Sequence, residues 1–173
     1  MSELLQRYPG AQRALFARYH IGGCRSCGFQ PDETLAVVCA RNEDIAVAEA
    51  IAHIQDSHTA DASLQIAPAD LANLKAAKPD LKLLDVRSRE EHEAVAIANS
   101  LLMTQALVQE IFQSWSKEEP LIIYDHRGDR ALDAAAYFIG HGFSQTKCLT
   151  GGIDAWSQEV EPNLPRYSVE FED

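Results

Sequence analysis

Basic residues are scarce in this sequence, and long hydrophobic runs are missing. The 173 residues include 15 Lys and Arg against 26 Asp and Glu, a formal net charge of −11. A surface of this charge repels phosphate groups, which argues against nucleic acid and anionic lipid as general partners. No run approaches the about 18 apolar residues of a membrane-spanning helix, and residues 1–9 lack the apolar core of a signal peptide. We therefore expect a cytoplasmic protein that binds neither nucleic acid nor membrane.

Cysteine is also too rare for a disulfide scaffold. In a reducing compartment the four cysteines are expected to be thiols, metal ligands or redox groups. Hydrophobic residues make up 46% of the chain, which is enough to build a core and argues against general disorder. The length fits one domain of about 100 residues together with a smaller module.

The hydrophobic pattern changes near residue 60. Residues 1–60 have helical spacing throughout, and the polar stretch from Ser57 to Ser63 predicts a linker. Strands then alternate with helices, which is typical of an α/β domain with a three-layer arrangement around a parallel sheet. We predict two domains: a small all-helical module over residues 1–60 and an α/β domain over residues 61–173.

The strongest signal for ligand binding follows the most hydrophobic predicted strand, Pro120 to Tyr124. In an open α/β sheet, ligands bind beyond the carboxyl ends of the strands. A loop at this place can direct successive backbone N–H groups inward and, with the start of the next helix, form a cradle for an anion. The loop residues are Asp125, His126, Arg127, Gly128, Asp129 and Arg130. Gly128 permits the tight bend.

Three motifs in this part of the chain resemble the rhodanese family. They are Leu83–Glu91 (LLDVRSREE), the strand Ile122–Tyr124 with Gly128 and Arg130 after it, and Leu149–Trp156 (LTGGIDAW). The resemblance extends from about residue 64 to about residue 165. It implies a rhodanese-like fold. It also implies that Asp85 and Arg87 of the first motif position the loop without contacting a ligand themselves.

The loop departs from the family at the residue that carries the chemistry. Rhodaneses hold sulfane sulfur as a persulfide on the cysteine that begins this loop, and the resemblance puts that position at Asp125. A carboxylate cannot form a persulfide. The family's Gly-His-Ile-Pro-Gly-Ala stretch is also altered, to Val-Ala-Ile-Ala-Asn-Ser over residues 95–100. We therefore predict a domain inactive as a thiosulfate sulfurtransferase.

Three roles for the altered loop stay open. In the favoured one, Asp125 is an internal anion that accepts the loop N–H groups and pairs with Arg127 or Arg130, within a binding or scaffold domain. In the second, Asp125 and His126 have a new acid–base or nucleophilic role. In the third, the domain borrows a thiol from elsewhere for sulfur chemistry.

The helical module has a Cys-x-x-Cys motif, Cys24 and Cys27, after a predicted helix. This spacing lets both sulfurs face one point, which suits a redox pair or two ligands of one metal. Because they lie in a loop without an apolar stripe, exposed reactive thiols are the favoured interpretation. Cys39 and His20 are further ligand candidates, so an iron–sulfur cluster or zinc is the alternative to a protein without cofactors.

Several other residues are predicted to be structural. Cys39 and Cys148 lie on apolar patterns, and free cysteine is among the most buried residue types. Tyr137 and Phe138 are predicted to be core residues because large aromatic side chains dominate core burial. His92 is predicted to lie on the surface.

The helical module resembles the small domains that precede iron–sulfur cluster repair proteins. The matching residues are Arg7–Ala11 (RYPGA), Leu15, Phe16, Tyr19, Ile21 and the Cys-x-x-Cys motif. We predict a sulfur-metabolism or redox accessory protein in which Cys24 and Cys27 relay sulfane sulfur or electrons. The loop would bind an anion or a protein partner from sulfur or iron–sulfur metabolism. The alternatives are a non-enzymatic interaction or regulatory module, and an iron–sulfur or zinc protein.

Overall fold

The structure, a computed structural model, describes residues 1–22 and 28–167. The chain forms two compact units, Met1–Ser63 and Leu64–Asp173. None of the helices within the described ranges combines the length and hydrophobicity of a transmembrane segment. Cys24 and Cys27 lie outside the described residues, so their predicted roles stay predictions.

The first unit is helical in its described part. Its helices are α1 (Ser2–Arg7), α2 (Ala11–Tyr19), α3 (Leu35–Arg41) and α4 (Val47–Ser63). These elements and the turns between them enclose one core, whose buried members include Leu15, Ile21, Val38, Cys39, Ala50 and Ile54. Cys39 is therefore a core residue, as predicted, and burial raises the pKa of its thiol.

The polar stretch from Ser57 to Ser63 is the end of α4 and not a linker, so that prediction is wrong. Its side chains find partners within the unit. The Thr59 hydroxyl donates to the Gln55 carbonyl at 3.0 Å, and Asp61 forms an ion pair with Arg13 of α2. The exposed face of a helix and a linker have the same polar composition, so the pattern alone did not separate them.

The second unit contains a parallel five-stranded sheet in the order β1-β5-β4-β2-β3. The strands are β1 (Gln65–Ile66), β2 (Lys82–Asp85), β3 (Leu101–Leu102), β4 (Leu121–Tyr124) and β5 (Thr146–Leu149). The helices between and after them are α5 (Pro68–Ala77), α6 (Arg89–Ala94), α7 (Gln105–Ser114), α8 (Asp129–Gly140) and α9 (Gly152–Glu159). The predicted α/β class with a parallel sheet is confirmed.

The central strand β4 is buried on both faces, and its side chains alternate between two cores. Leu121 and Ile123 pack in one core with residues of α7 and α8. Ile122 and Tyr124 pack in the other with residues of α5 and α9. Helices therefore cover both faces of the sheet, which gives the three predicted layers.

The helix α8 shows how narrow the buried stripe is. Ala131, Ala135 and Phe138 have no exposed surface, whereas Tyr137 is 51% exposed. The prediction of a core position is correct for Phe138 and wrong for Tyr137. On a helix, neighbours in sequence are about 100° apart, so the residue beside a buried one points elsewhere.

Candidate functional site

The predicted site residues of the second unit lie at or near the carboxyl edge of the sheet. The strands β2 and β4 are neighbours, and Asp85 is paired in register with Tyr124. The backbone N–H of Val86 donates to the Tyr124 carbonyl at 3.0 Å. Asp125 follows directly, so the first two motifs end side by side at the place where open α/β sheets bind ligands.

The Asp125 carboxylate points into the loop that it begins. The side chain is only 3% exposed. One oxygen, Oδ2, accepts the backbone N–H groups of Arg130 at 2.6 Å and Ala131 at 3.2 Å, and Oδ1 accepts the N–H of Gly128. These donors lie at the start of α8, where helix N–H groups have no partner within the helix. The carboxylate therefore caps α8 with a negative charge at its positive end.

The third motif closes over the backbone of the loop. The N–H of Ile153 donates to the Asp125 carbonyl at 2.9 Å, and the N–H of Asp154 donates to the His126 carbonyl at 3.1 Å. A Cβ on Gly152 would lie 2.5 Å from both carbonyl oxygens, and Gly152 has a φ of +59°. Only glycine fits there without strain, because it has no Cβ and tolerates positive φ.

The side chain of His126 is buried, but its ring nitrogens lack hydrogen bonds within the described part of the chain. It is 8% exposed, and neither ring nitrogen has a hydrogen-bond partner among the residues that the structure describes. Its ring lies against that of Tyr167, with 4.5 Å between the centroids. Buried polar nitrogens are usually hydrogen-bonded, so this imidazole marks a place where another group could bind.

The two arginine side chains of the loop turn outward. Arg127 and Arg130 are both exposed. The Arg130 guanidinium lies 4.0 Å from a Glu91 carboxylate oxygen, while its backbone N–H bonds Asp125. The sequence predicts that Asp125 pairs with Arg127 or Arg130, but no ion pair of Asp125 with either guanidinium occurs among the described residues. Its oxygens accept backbone N–H groups instead, because amides at a helix start reach a buried carboxylate that a long solvated side chain does not. The backbone of Asp129 begins α8.

Asp85 and Arg87 form a buried ion pair behind the loop. Asp85 has no exposed surface, and Arg87 is 5% exposed. The guanidinium donates to both carboxylate oxygens, from Nε at 2.9 Å and from Nη2 at 2.6 Å, and Nη2 also donates to the Val95 carbonyl at 2.7 Å. This bidentate geometry is the strong form of a carboxylate–arginine contact.

The electrostatics of this pair follow from its geometry. Burial acts to raise the pKa of Asp85, but hydrogen bonds from Arg87 and His92 outweigh it and lower that pKa. Burial acts to lower the pKa of Arg87, and its bonds to Asp85 and Tyr167 raise it overall. Both groups therefore stay charged across the physiological range.

The sequence matches the family model described as Rhodanese-like domain over residues 67–159. The chain belongs to the rhodanese-like domain family. The thiosulfate sulfurtransferase GlpE of Coxiella burnetii is 32% identical over 79 residues, which are 46% of this chain and 74% of that protein. The adenylyltransferase and sulfurtransferase UBA4 of Candida albicans is 24% identical over 115 residues, 62% of this chain and 26% of that protein.

The fold is also found among solved structures. The crystal structure of the Alr3790 protein from Anabaena sp. superposes with a TM-score of 0.50 at 24% identity, covering 55% of this chain and 77% of that one. This likeness supports the fold of the rhodanese-like domain.

His92 of the rhodanese-like domain is not the surface residue that the sequence predicts. Its side chain is 21% exposed, and its Nδ1 lies 2.8 Å from Asp85 Oδ2. The short helix α6 begins with a capping box of Ser88 and Glu91, which sets the turn that carries His92 toward β2. The Asp85 carboxylate lies seven residues earlier in the chain, on a different element. Helical spacing therefore does not predict the contact.

Two tyrosines complete the site, and the sequence interpretation gave neither a polar role. The Tyr124 hydroxyl donates to Asp85 Oδ2 at 2.9 Å and lies 2.7 Å from Ser100 Oγ. A tyrosine in a fully buried strand needs a partner for its hydroxyl, which is the signal that could have found it. Tyr167 accepts from Arg87 at 2.7 Å, and no local pattern predicts a contact across 80 residues.

Of the four predicted metal ligands, the structure describes His20 and Cys39 but not Cys24 and Cys27. No group of three or more His, Cys, Asp or Glu side chains that could hold a metal occurs within residues 1–22 and 28–167. Cys39 lies in the core, whereas His20 is exposed at the end of α2. Cys24 and Cys27 lie outside these ranges, so an iron–sulfur or zinc site on them stays a prediction.

Proposed function

We propose that this protein is a sulfur-metabolism or redox accessory protein whose rhodanese-like domain has no sulfurtransferase turnover of its own. The observation that carries the proposal is the buried carboxylate of Asp125, which begins the loop after β4 and accepts three backbone N–H groups. A carboxylate offers no sulfur to transfer, and residues 125–130 contain no cysteine. Membership in a family with thiosulfate sulfurtransferases supports the sulfur-related role.

The active thiols in this proposal are Cys24 and Cys27 of the helical module. A thiolate there attacks the outer sulfur of a persulfide donor, the donor's S–S bond breaks, and the donor leaves as a thiolate. The product is a persulfide on the accepting cysteine, and no external oxidant or reductant is needed.

The first test is thiosulfate:cyanide sulfurtransferase activity. We expect wild type to stay at background, because the loop has no nucleophilic sulfur. Asp125→Cys is expected to gain measurable turnover, whereas Asp125→Asn, which has similar size and no thiol, is not. Robust wild-type activity that survives replacement of both Cys24 and Cys27 by Ser would refute the proposed role of Asp125.

The second test follows the sulfur itself. After incubation with a cysteine persulfide donor, mass spectrometry is expected to find an adduct of about 32 Da on Cys24 or Cys27. The buried Cys39 and Cys148 are internal controls that should stay unmodified. If no cysteine gains mass, the thiols relay no sulfane sulfur.

A second candidate is a non-enzymatic interaction module with a protein partner from sulfur or iron–sulfur metabolism. It is favoured by the hydrogen bonds that the loop backbone already makes. Its N–H groups donate to Asp125, and two of its carbonyls accept from N–H groups at the start of α9. Such a loop suits protein recognition better than capture of a small anion. The absence of an adduct in the second test would favour this candidate.

The iron–sulfur or zinc alternative has a test of its own. The optical spectrum and the metal content of protein purified without oxygen distinguish a bound cluster or zinc from reactive thiols. A cytoplasmic location, where thiols stay reduced, belongs to the same proposal.

A further inference from the structure

The rhodanese-like domain has a short segment that returns to the 125–130 loop. Residues 160–167, which we call the strap, follow α9 directly. Val160, Leu164 and Tyr167 pack against the core that contains Tyr124 and Trp156. Prolines at positions 162 and 165 restrict the backbone of the strap. The strap is therefore a defined peptide seated on its own domain.

The side chain of Tyr167 makes the central contacts of the strap. Its hydroxyl accepts from Arg87 Nη1 at 2.7 Å and donates to Glu91 Oε1 at 2.7 Å. Its ring lies against His126. Burial, with a further contribution from the Glu91 hydrogen bond, raises its pKa to about 12, so the hydroxyl keeps its proton and can donate. We call the surface beneath the strap, formed by Arg87, Glu91, His126 and Asp154, the seat. The seat contacts both the ring and the hydroxyl of Tyr167.

Arg166 makes the outer contact. Its Nε and Nη2 donate to the two carboxylate oxygens of Asp154, at 2.8 and 3.2 Å. Asp154 also donates its backbone N–H to the carbonyl of His126. The carboxylate that holds the arginine is therefore fixed to the same loop that holds the tyrosine.

The seat combines two carboxylates with an aromatic ring. Glu91 and Asp154 supply negative charge, and His126 supplies a flat surface. A cation followed by a phenol complements this arrangement, which is what Arg166 and Tyr167 provide. The strap leaves both nitrogens of His126 without hydrogen bonds among the described residues, so another peptide could make contacts here that the strap does not.

We propose that this seat is a docking site for a segment of a partner protein that carries an arginine–tyrosine pair, and that the strap covers it until it is displaced. The proposal rests on the proposed function only in taking the domain as a recognition module. Because the strap competes with the partner, the apparent association constant of wild type is the intrinsic constant multiplied by the fraction of molecules in which the seat is open.

The test uses the full chain and a fluorescein-labelled peptide of the strap sequence, Asn-Leu-Pro-Arg-Tyr, with blocked ends. Binding is measured by fluorescence anisotropy. The double variant Arg166→Gln/Tyr167→Phe keeps the packed ring and removes the polar contacts of the strap. We expect it to bind the peptide about tenfold more tightly than wild type because its seat is open more often. Arg89→Gln, on the exposed face of α6, is the matched control and should bind like wild type.

The receptor side needs its own variant. Asp154→Asn, placed in the double variant, should reverse the gain in affinity, whereas Asp80→Asn should not. A peptide with Gln and Phe in place of Arg and Tyr should bind weakly to every protein. Circular dichroism of each variant checks that the fold is retained, and hydrogen exchange at residues 160–167 provides a second measure of strap opening.

Three outcomes would overturn the docking site. They are equal peptide affinity for wild type and the double variant, no binding to a folded double variant, and an affinity gain that survives Asp154→Asn. Self-association of wild type through exchanged straps would assign the seat to a second copy of the chain and overturn the partner assignment. The sulfur adduct on Cys24 or Cys27 is measured separately, so failure of the relay and failure of the docking site are distinguishable.

Discussion

Two buried aspartates lie at the carboxyl ends of neighbouring strands of the sheet, and they are stabilised in different ways. Asp85, the last residue of β2, is held mainly by side chains: the Arg87 guanidinium, the His92 imidazole and the Tyr124 hydroxyl. One backbone N–H, that of Arg87, also donates to it at 3.0 Å. Asp125 after β4 is held by backbone N–H groups at the start of α8. Both carboxylates are almost fully removed from solvent.

The difference indicates which of the two aspartates can be substituted without loss of the surrounding structure. The side-chain donors to Asp85 come from three particular residues, so a substitution at any of them removes a hydrogen bond. Donors on the backbone are supplied by the helix start and are present whatever side chain occupies position 125. A loop built this way can donate hydrogen bonds to different acceptor groups at that position.

The largest effect is expected from Arg87→Met. The substitution keeps most of the volume but leaves the Asp85 charge buried without its main partner, which costs about 3–5 kcal/mol of unfolding free energy. Urea unfolding of the full chain measures the loss, and Arg89→Met, which breaks only an exposed contact, is the control. Asp85→Asn added to Arg87→Met should recover part of the loss. Wild-type stability of Arg87→Met would mean that the pair does not support the site.

A smaller effect is expected from Asp125→Ala. The change leaves the N–H groups of Gly128, Arg130 and Ala131 without their acceptor and should cost about 1–3 kcal/mol in the same unfolding experiment. Asp125→Asn keeps one carbonyl acceptor and should cost less. Asp80→Ala, in an exposed turn, is the control. Equal stability of all three variants and wild type would contradict the role of the carboxylate in holding the loop.

The smallest effect of the three is expected from Tyr124→Phe. It removes one hydroxyl donor from Asp85 while the carboxylate keeps Arg87 and His92, so the cost should be about 1–2 kcal/mol. Tyr137→Phe is the matched control because that side chain is half exposed. A loss as large as that of Arg87→Met would show that the network depends on the hydroxyl and not on the ion pair.

The parts that sequence analysis predicted well are those with a local physical signal. An unbroken apolar run predicted the doubly buried β4, and the alternation of strands and helices predicted the parallel sheet. The three motifs pointed to the loop at the carboxyl edge, and the sequence shows directly that residues 125–130 contain no cysteine. The polar end of α4 was missed because a solvated helix face and a linker have the same composition.

The contacts around the loop had no such signal. The side-chain partners of Arg130 and His92 depend on the direction in which each helix leaves its preceding strand. Tyr167 contacts Arg87, which lies 80 residues away in the sequence. Contacts of this kind depend on packing between distant elements, which no short-range periodicity records.

For this rhodanese-like protein, the amino-acid pattern was enough to predict the class of fold and the position of the loop, and it shows that the loop begins with Asp125. Those properties follow from periodicity and from the chemistry of single residues. The three-dimensional arrangement was needed to see that the carboxylate of Asp125 turns inward onto backbone N–H groups, that Arg166 pairs with Asp154, and that the Tyr167 ring packs against His126. The reason is that hydrogen bonds between buried groups depend on how the elements are arranged in space, which is set by the packing of both cores around the sheet.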